Sequence, residues 1–400
     1  MDDILKSAFT FKEGIRAWRR DLHRIPEVGL DTPLTEAYIC ARLDEIGVSY
    51  AKGVGGHGVV ATVGGKKDGR CFAIRCDCDG LPIREESGEP FASQNGCMHA
   101  CGHDAHTAIG LATAALLKSR ESVIAGTVKI IFQPGEETGE GAMAMIAGGC
   151  LDDPTVDVIV SLHVSPHWCN DLTGDKMGFR PGGLLACMDR FTVRVDGRIS
   201  GKGRASSSVA ASCCRIISEL QTIVPYDVDP LEPAVVSVCQ VDIDRNQEGK
   251  EKGMITGTAR ALSRDTRNLL ERRIAVIVER IDVTTKVRAE SCYTRGAPPV
   301  INDSGMTDFM EKTASSLFGE ESVVHLKAPV MGGEDFAYYL EKVPGVMLFF
   351  STEPREGGIV SAHNGKYRIY DGELWRGAAL FAQAALSWLA GSLPSETGGL

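Results

Sequence analysis

The sequence has no run of about 18 apolar residues, the length a helix needs to cross a bilayer, so no membrane partner is expected. It opens on MDDILKSAFTFKEGIRAWRRDLHR, charged throughout and without the apolar segment of a secretory signal. A cytoplasmic protein is predicted. There is no basic surplus either. Lys and Arg number 43 against 53 Asp and Glu, a net charge of −10, which argues against a nucleic-acid surface. No pair of closely spaced cysteine pairs marks a structural zinc site. No internal repeat and no low-complexity segment is visible.

Cysteine itself is plentiful: thirteen residues, an odd number, without a regular framework. With no export signal, most read as reduced packing thiols. Cys101 stands apart because of its company. The stretch MHACGHDAHT, residues 98–107, holds three of the nine histidines with a cysteine and an aspartate.

The length of 400 residues exceeds one ordinary core. The first residues through about Ile46 read as two helices, the second ending at Gly47. GVVATVGG and CFAIRCDCDG read as strands, TAIGLATAALLKSR as a helix, GTVKIIFQ as a strand, AMAMIAGG as a helix and VDVIVSLHV as a strand. That alternation predicts an α/β layer architecture. From about Ala186 to Arg295 the order becomes β-α-β-β-α-β, the split ferredoxin-like pattern. After GAPPVINDS the α/β texture returns, and the tail SLPSETGGL is predicted to fray. The expected domains are therefore residues 1–185, the first part of a catalytic domain; 186–295, an inserted domain; and 296–400, the rest of the catalytic domain.

Chemistry-bearing residues gather at strand ends. Asp77 and Asp79 share one face at the carboxyl end of FAIRCDCDG. Cys101 and His103 precede a helix, Glu136 and Glu137 follow TVKIIFQ, His163 closes VDVIVSL, and His363 lies beyond GVMLFFST. In open α/β sheets, ligands bind outside the carboxyl ends of strands. Cys101, His103, His163, His363 and Glu137 would suit a pair of divalent metals, with Glu136 free to take a proton from a metal-bound water. Taken singly each has a plainer reading: a surface histidine, a solvated turn, a buried thiol. His23, His57, His167 and His325 read as structural or surface residues, and His99 and His106, which flank the motif, as hydrogen-bonding or helix-capping residues rather than ligands.

The segments RRDLHRIPEVGL, RCDCDGLPIRE, MHACGHDAHTA, IFQPGEETGEGA, LHV, GTARAL, MGGEDFAYY and AHNGKYRI occur in order across nearly the whole chain. In these the chain resembles the N-acyl-amino-acid amidohydrolases of the metallopeptidase superfamily that also holds carboxypeptidase G and aminoacylase. It is most similar to the branch with hippurate, indole-acetyl-amino-acid and aminobenzoyl-glutamate hydrolases. The resemblance implies an α/β/α catalytic domain with a mixed sheet, interrupted by a ferredoxin-like α+β lid through which chains pair as a homodimer. It implies two divalent ions per chain (manganese, zinc, cobalt or nickel) held by Cys101, His103, Glu137, His163 and His363. Glu136 would be the general base, with Asp79 supporting a ligand from behind and Glu334 in the surroundings of the site. A small-molecule amide would be the substrate.

Two departures fall on the inserted domain. Ala205, in GKGRASSSVAAS, stands where the family keeps a carbonyl-polarising histidine, with Arg204 as a substitute donor; losing one such donor typically costs about 100- to 1000-fold in rate. Asn246, in DRNQEGKEKGMITG, matches the family's lid asparagine only loosely. Arg260 could pair with the substrate carboxylate; a surface strand arginine is the equal alternative. The expected reaction is metal-assisted hydrolysis of N-acyl amino acids or similar amide conjugates. Rival readings are a dipeptidase or aminopeptidase of the same superfamily, a Cys101-based hydrolase, and a metal-binding homologue with weak or no activity.

Overall fold

The computed structural model describes residues 2–64, 69–166, 171–197, 209–245, 251–285 and 287–391. Ala205, Arg204, Asn246, His167 and the tail SLPSETGGL lie outside them. In chain order the first elements are α1 (Asp2–Thr10), α2 (Lys12–His23), α3 (Pro33–Ile46), β1 (Ser49–Val54), β2 (Gly58–Gly64), β3 (Cys71–Asp77), α4 (His103–Lys118), β4 (Thr127–Gln133), α5 (Gly141–Ala147), β5 (Val158–Ser165), β6 (Met177–Phe179) and β7 (Gly182–Leu185). Then come β8 (Asp189–Asp196), α6 (Val209–Leu220), α7 (Ile223–Asp227), β9 (Ala234–Arg245), β10 (Glu251–Ala261), α8 (Arg264–Thr285) and β11 (Arg288–Thr294). The last are β12 (Val300–Asn302), α9 (Ser304–Phe318), β13 (Val323–His325), α10 (Ala337–Leu340), β14 (Gly345–Ser351) and α11 (Leu374–Leu389). Among the described residues no helix is long and apolar enough to cross a membrane.

The chain forms two compact units. The first takes Met1–Gly182, Asn302–Ala328 and Asp335–Leu400. Its eight-stranded sheet runs β1-β2-β4-β3-β5-β14-β6-β13. The centre, β4-β3-β5-β14, is parallel, while β1/β2, β2/β4 and β14/β6 are antiparallel, so the sheet is mixed. Every residue of β3, β4, β5 and β14 is buried. Strands covered on both faces need apolar side chains on both, which is why these segments read as continuous runs. Helix α4 packs across β2, β3, β4 and β5. It lies close because Gly110 has no side chain: a Cβ there would sit 2.8 Å from both Cys76 Sγ and Phe132 Cε1.

The two helices expected at the start are three. Phe11, at φ −88° and ψ 0°, separates α1 from α2, and its ring stacks edge-on against Trp18 at 4.9 Å. Strands β1, β6, β7, β12 and β13 were not foreseen either. β1 is an exposed edge with little alternation, and the others have three or four residues each, too few to show a period.

The second unit takes Gly183–Ile301 and Pro329–Glu334. Its four-stranded sheet runs β11-β8-β10-β9, antiparallel throughout. β8 and β10 alternate buried and outward residues, and α6 and α8 cover the buried face with Phe191, Val193, Val195, Ile255, Ile274 and Ile277 in the core. The two ends of its long segment meet near the buried Asp189. Its carboxylate accepts from the Gly296 N–H (3.0 Å), Tyr293 Oη (2.8 Å) and Arg267 Nε and Nη2 (2.8 and 2.6 Å). The segment Pro329–Glu334 was expected with the catalytic part but packs here. Val330 N donates to Leu184 O, Ala186 N to Gly332 O and Arg260 Nη1 to Met331 O, each at 2.8 Å.

Candidate metal centre

The site lies in the first unit, where β3, β4 and β5 end. Past β3 the chain places Asp79; the turn into α4 places Cys101 and His103; β4 leads to Glu136 and Glu137; β5 carries His163; the stretch beyond β14 carries His363. Gly102 makes the turn possible. It is left-handed (φ +87°), and a Cβ would stand 3.1 Å from the Val164 carbonyl oxygen. Without that conformation Cys101 and His103 could not face the same point.

The donor atoms fall into two triplets that share one thiol. One ligand atom each of Cys101, His103 and His163 lies within 4.8 Å of the others, and the same holds for Cys101, Glu137 and His363. Cys101 Sγ is 3.5 Å from His163 Nε2, and His363 Nε2 is 3.2 Å from Glu137 Oε2. His363 takes a left-handed backbone (φ +63°) to reach there. Glu136 joins from the other side, with Oε2 3.9 Å from His103 Nε2.

Asp79 ties these segments together without facing out of the cluster. Its carboxylate accepts the backbone N–H groups of Glu136 (3.1 Å) and Glu137 (3.2 Å). Its carbonyl oxygen accepts Nδ1–H from His103 (3.0 Å) and from His99 (3.1 Å). That bond fixes the His103 tautomer and turns Nε2 toward the other donors.

The electrostatics fit a cation. Carboxylate oxygens of Asp77, Asp79, Glu136 and Glu137 all come within 4 Å of the His103 ring nitrogens. Among the described residues His103 Nε2 and Glu137 Oε1 are buried with no hydrogen-bond partner, a costly state unless something else satisfies them. Burial, then the Glu137 charge, pushes the Cys101 thiol up to about 12; it becomes a thiolate only beside a positive charge. Burial holds His163 well below the usual histidine range, which keeps it a neutral imidazole, the form able to ligate a metal. Burial opposes ionisation of Glu137, but the hydrogen bond from His363 and the charges of His103 and His363 together outweigh it.

Beneath the donors lies a polar network that sequence reasoning did not single out. Arg75 donates to Asp77 Oδ2 (2.7 Å), Asp335 Oδ1 (2.8 Å) and Gln133 Oε1 (2.9 Å). Gln133 and the Ala142 N–H also donate to Asp335. All of these side chains are buried. An arginine inside the apolar run FAIRCDCDG was the available signal, since a buried guanidinium demands carboxylates. His23, read as structural, sits buried between Asp104 (2.7 Å) and Glu85 (3.0 Å). His57 lies 3.0 Å from Glu36 and His325 3.6 Å from Glu311, both away from the donor cluster. Arg260 and Glu334 belong to the second unit.

The chain matches known proteins along most of its length. Residues 73–387 match the family described as Peptidase family M20/M25/M40. An N-acetyl-L-cysteine deacetylase of Bacillus subtilis is 34% identical over 350 residues, 86% of this chain and 82% of that one. The IAA-amino acid hydrolase ILR1-like 6 of Arabidopsis thaliana is 33% identical over 400 residues, 97% of this chain and 83% of that one. The crystal structure of the Bacillus subtilis YXEP protein, described as a dinuclear metal binding peptidase from the M20 family, superposes with a TM-score of 0.83 at 32% identity, covering 95% of this chain and 99% of that one. With its fold, its donor cluster and these relatives in agreement, the chain belongs to peptidase family M20/M25/M40.

Proposed function

We propose that the protein hydrolyses the amide bond of N-acyl amino acids or similar conjugates, using two divalent ions held by Cys101, His103, Glu137, His163 and His363, with Glu136 as general base. The observation that carries this is the convergence of five donors from four separate segments on two triplets sharing Cys101, beside a His103 Nε2 that has no hydrogen-bond partner among the described residues. The bound ions would polarise the amide carbonyl and acidify water next to it.

Asp79 holds the backbone of Glu136 and Glu137, and so fixes where the Glu136 carboxylate stands. Glu136 takes one proton from the attacking water as the new C–O bond forms. It returns that proton to the nitrogen as the C–N bond breaks, leaving a carboxylic acid and a free amine. His103 keeps Nδ1–H on the Asp79 carbonyl throughout. Arg260 serves as the partner of the substrate carboxylate, and Asn246 as a further contact. Manganese, zinc, cobalt or nickel as the ion, and a homodimer through the second unit, belong to the same reading. The substrate class draws on relatives named for N-acetyl-L-cysteine and IAA-amino acids.

The test is a panel of N-acyl amino acids and free-amine dipeptides, assayed on stripped protein with each divalent ion restored. Glu136→Gln should lower turnover by about 100- to 10,000-fold while ion binding is unchanged. Full activity after exhaustive chelation, or unchanged turnover in that variant, overturns the reading.

A further inference from the structure

His106 follows the donors Cys101 and His103 in the same motif, yet neither of its nitrogens is available to an ion. Nδ1 is in a short hydrogen bond with Asp77 Oδ1. Nε2 is 2.7 Å from the backbone nitrogen of Val164. A peptide N–H can only donate, so Nε2 is the acceptor and Nδ1 carries the proton given to Asp77. The tautomer is thereby set by the fold.

The Val164 N–H needs this partner. β3 pairs with β5 only from Phe72↔Val158 to Arg75↔Ser161. On that side of β5 the ladder stops three residues short of Val164, and the buried strand edge is capped by a side chain from α4 instead. The next group along the strand is held as well: the Val164 carbonyl accepts from His163 Nδ1 at 3.1 Å and from Tyr367 Oη at 3.4 Å. The His106 ring stands edge-on to the His163 ring, centroids 4.7 Å apart and planes at 77°. His163 is thus fixed through its own backbone on one side and through its Nδ1 on the other, which leaves Nε2 aimed at Cys101.

We infer that His106 is a positioning residue for the metal centre: by accepting the Val164 N–H it locks the strand end that orients His163. The chain of contacts is Arg75–Asp77–His106–Val164–His163. It reaches a donor that Asp79 does not touch in the described hydrogen bonds, so the two loops of the site are held by two separate devices. The inference rests on the reading of His163 as an ion ligand.

The experiment titrates cobalt(II) into stripped protein, reading affinity, ions bound per chain and the thiolate-to-cobalt absorption band, for wild type and three variants. In His106→Gln the amide oxygen falls where Nε2 was and can still accept from Val164. In His106→Asn the amide falls where Nδ1 was, keeping Asp77 and losing Val164. His106→Ala loses both. Supporting contacts behind a ligand typically account for about 10- to 100-fold in affinity. A loss of that size is expected in the Ala and Asn variants, with most of it recovered in Gln. Thermal unfolding of each stripped variant reports folding separately. Equal affinity in folded Ala variant and wild type overturns the inference, as does equal loss in Asn and Gln. Failure of the wild type to bind cobalt would instead overturn the proposed function.

Discussion

Asp79 receives two peptide N–H groups on its carboxylate and two imidazoles on its carbonyl. Only the side chain can be changed by mutation, so the two roles separate. Asp79→Ala keeps the carbonyl and the His103 tautomer but releases the Glu136–Glu137 turn. Ion affinity should fall by about 10- to 100-fold, measured by titration of stripped protein, and the loss should be larger for the Glu137–His363 triplet than for the His103–His163 one. Cys101 belongs to both triplets. Replacing it with Ser substitutes an oxygen for the soft donor, so the cobalt form should lose its thiolate absorption band; a retained band would place the thiolate at another cysteine.

Helix α4 carries Gly102 before its first turn and Gly110 within it, and the two glycines answer different needs. Gly102 supplies a left-handed residue where the chain turns from Cys101 to His103. An L-residue there costs about 1–2 kcal/mol, so Gly102→Ala should lower both the unfolding free energy and ion affinity. Gly110 supplies space. Gly110→Val overfills the contact with Cys76 and Phe132, and a loss of about 1–3 kcal/mol in urea unfolding is expected, with ion binding spared if the protein folds. These elements were legible where a period or a turn residue spoke for them. β3, β4, β5, β14 and α4 stood out as apolar runs or helical stripes, and the residues that converge in the cluster stood out because they follow such runs. The three-residue strands carried no period. The Arg75–Asp77–Asp335 network joins residues far apart in sequence: an arginine in an apolar strand signals that carboxylates must meet it, but only the close approach of β3 to the Asp335 turn shows that Asp335 is one of them. His106 looked like a neighbour of the motif because nothing in the spacing says that β3 stops pairing before Val164.

The first unit is closed on itself by charge. Arg16 and Arg20 of α2 reach Asp371, just before α11, at 3.1 and 2.7 Å, and Arg19 lies 3.8 Å from it. Burial alone would raise the Asp371 carboxyl, but the hydrogen bond from Arg20 and the charges of Arg19, Arg20 and Arg16 outweigh it and hold it below the ordinary value. The folded state therefore binds this proton less readily than the unfolded one, whose carboxyl titrates near 3.9. Its contribution is complete above that value and fades as pH falls through the lower folded one. Asp371→Asn should cost about 1.5–3 kcal/mol near neutral pH. The gap to wild type in denaturant unfolding should narrow below about pH 4; a gap that widens on acidification would contradict the assignment.

The meeting of Gly296, Tyr293 and Arg267 on Asp189 has one more consequence. The polypeptide enters the stretch from β8 to β11 and leaves it at a single knot, as beads do on a looped thread. Length and sequence could vary inside that loop without rerouting any of the eight strands around which the candidate donors are arranged.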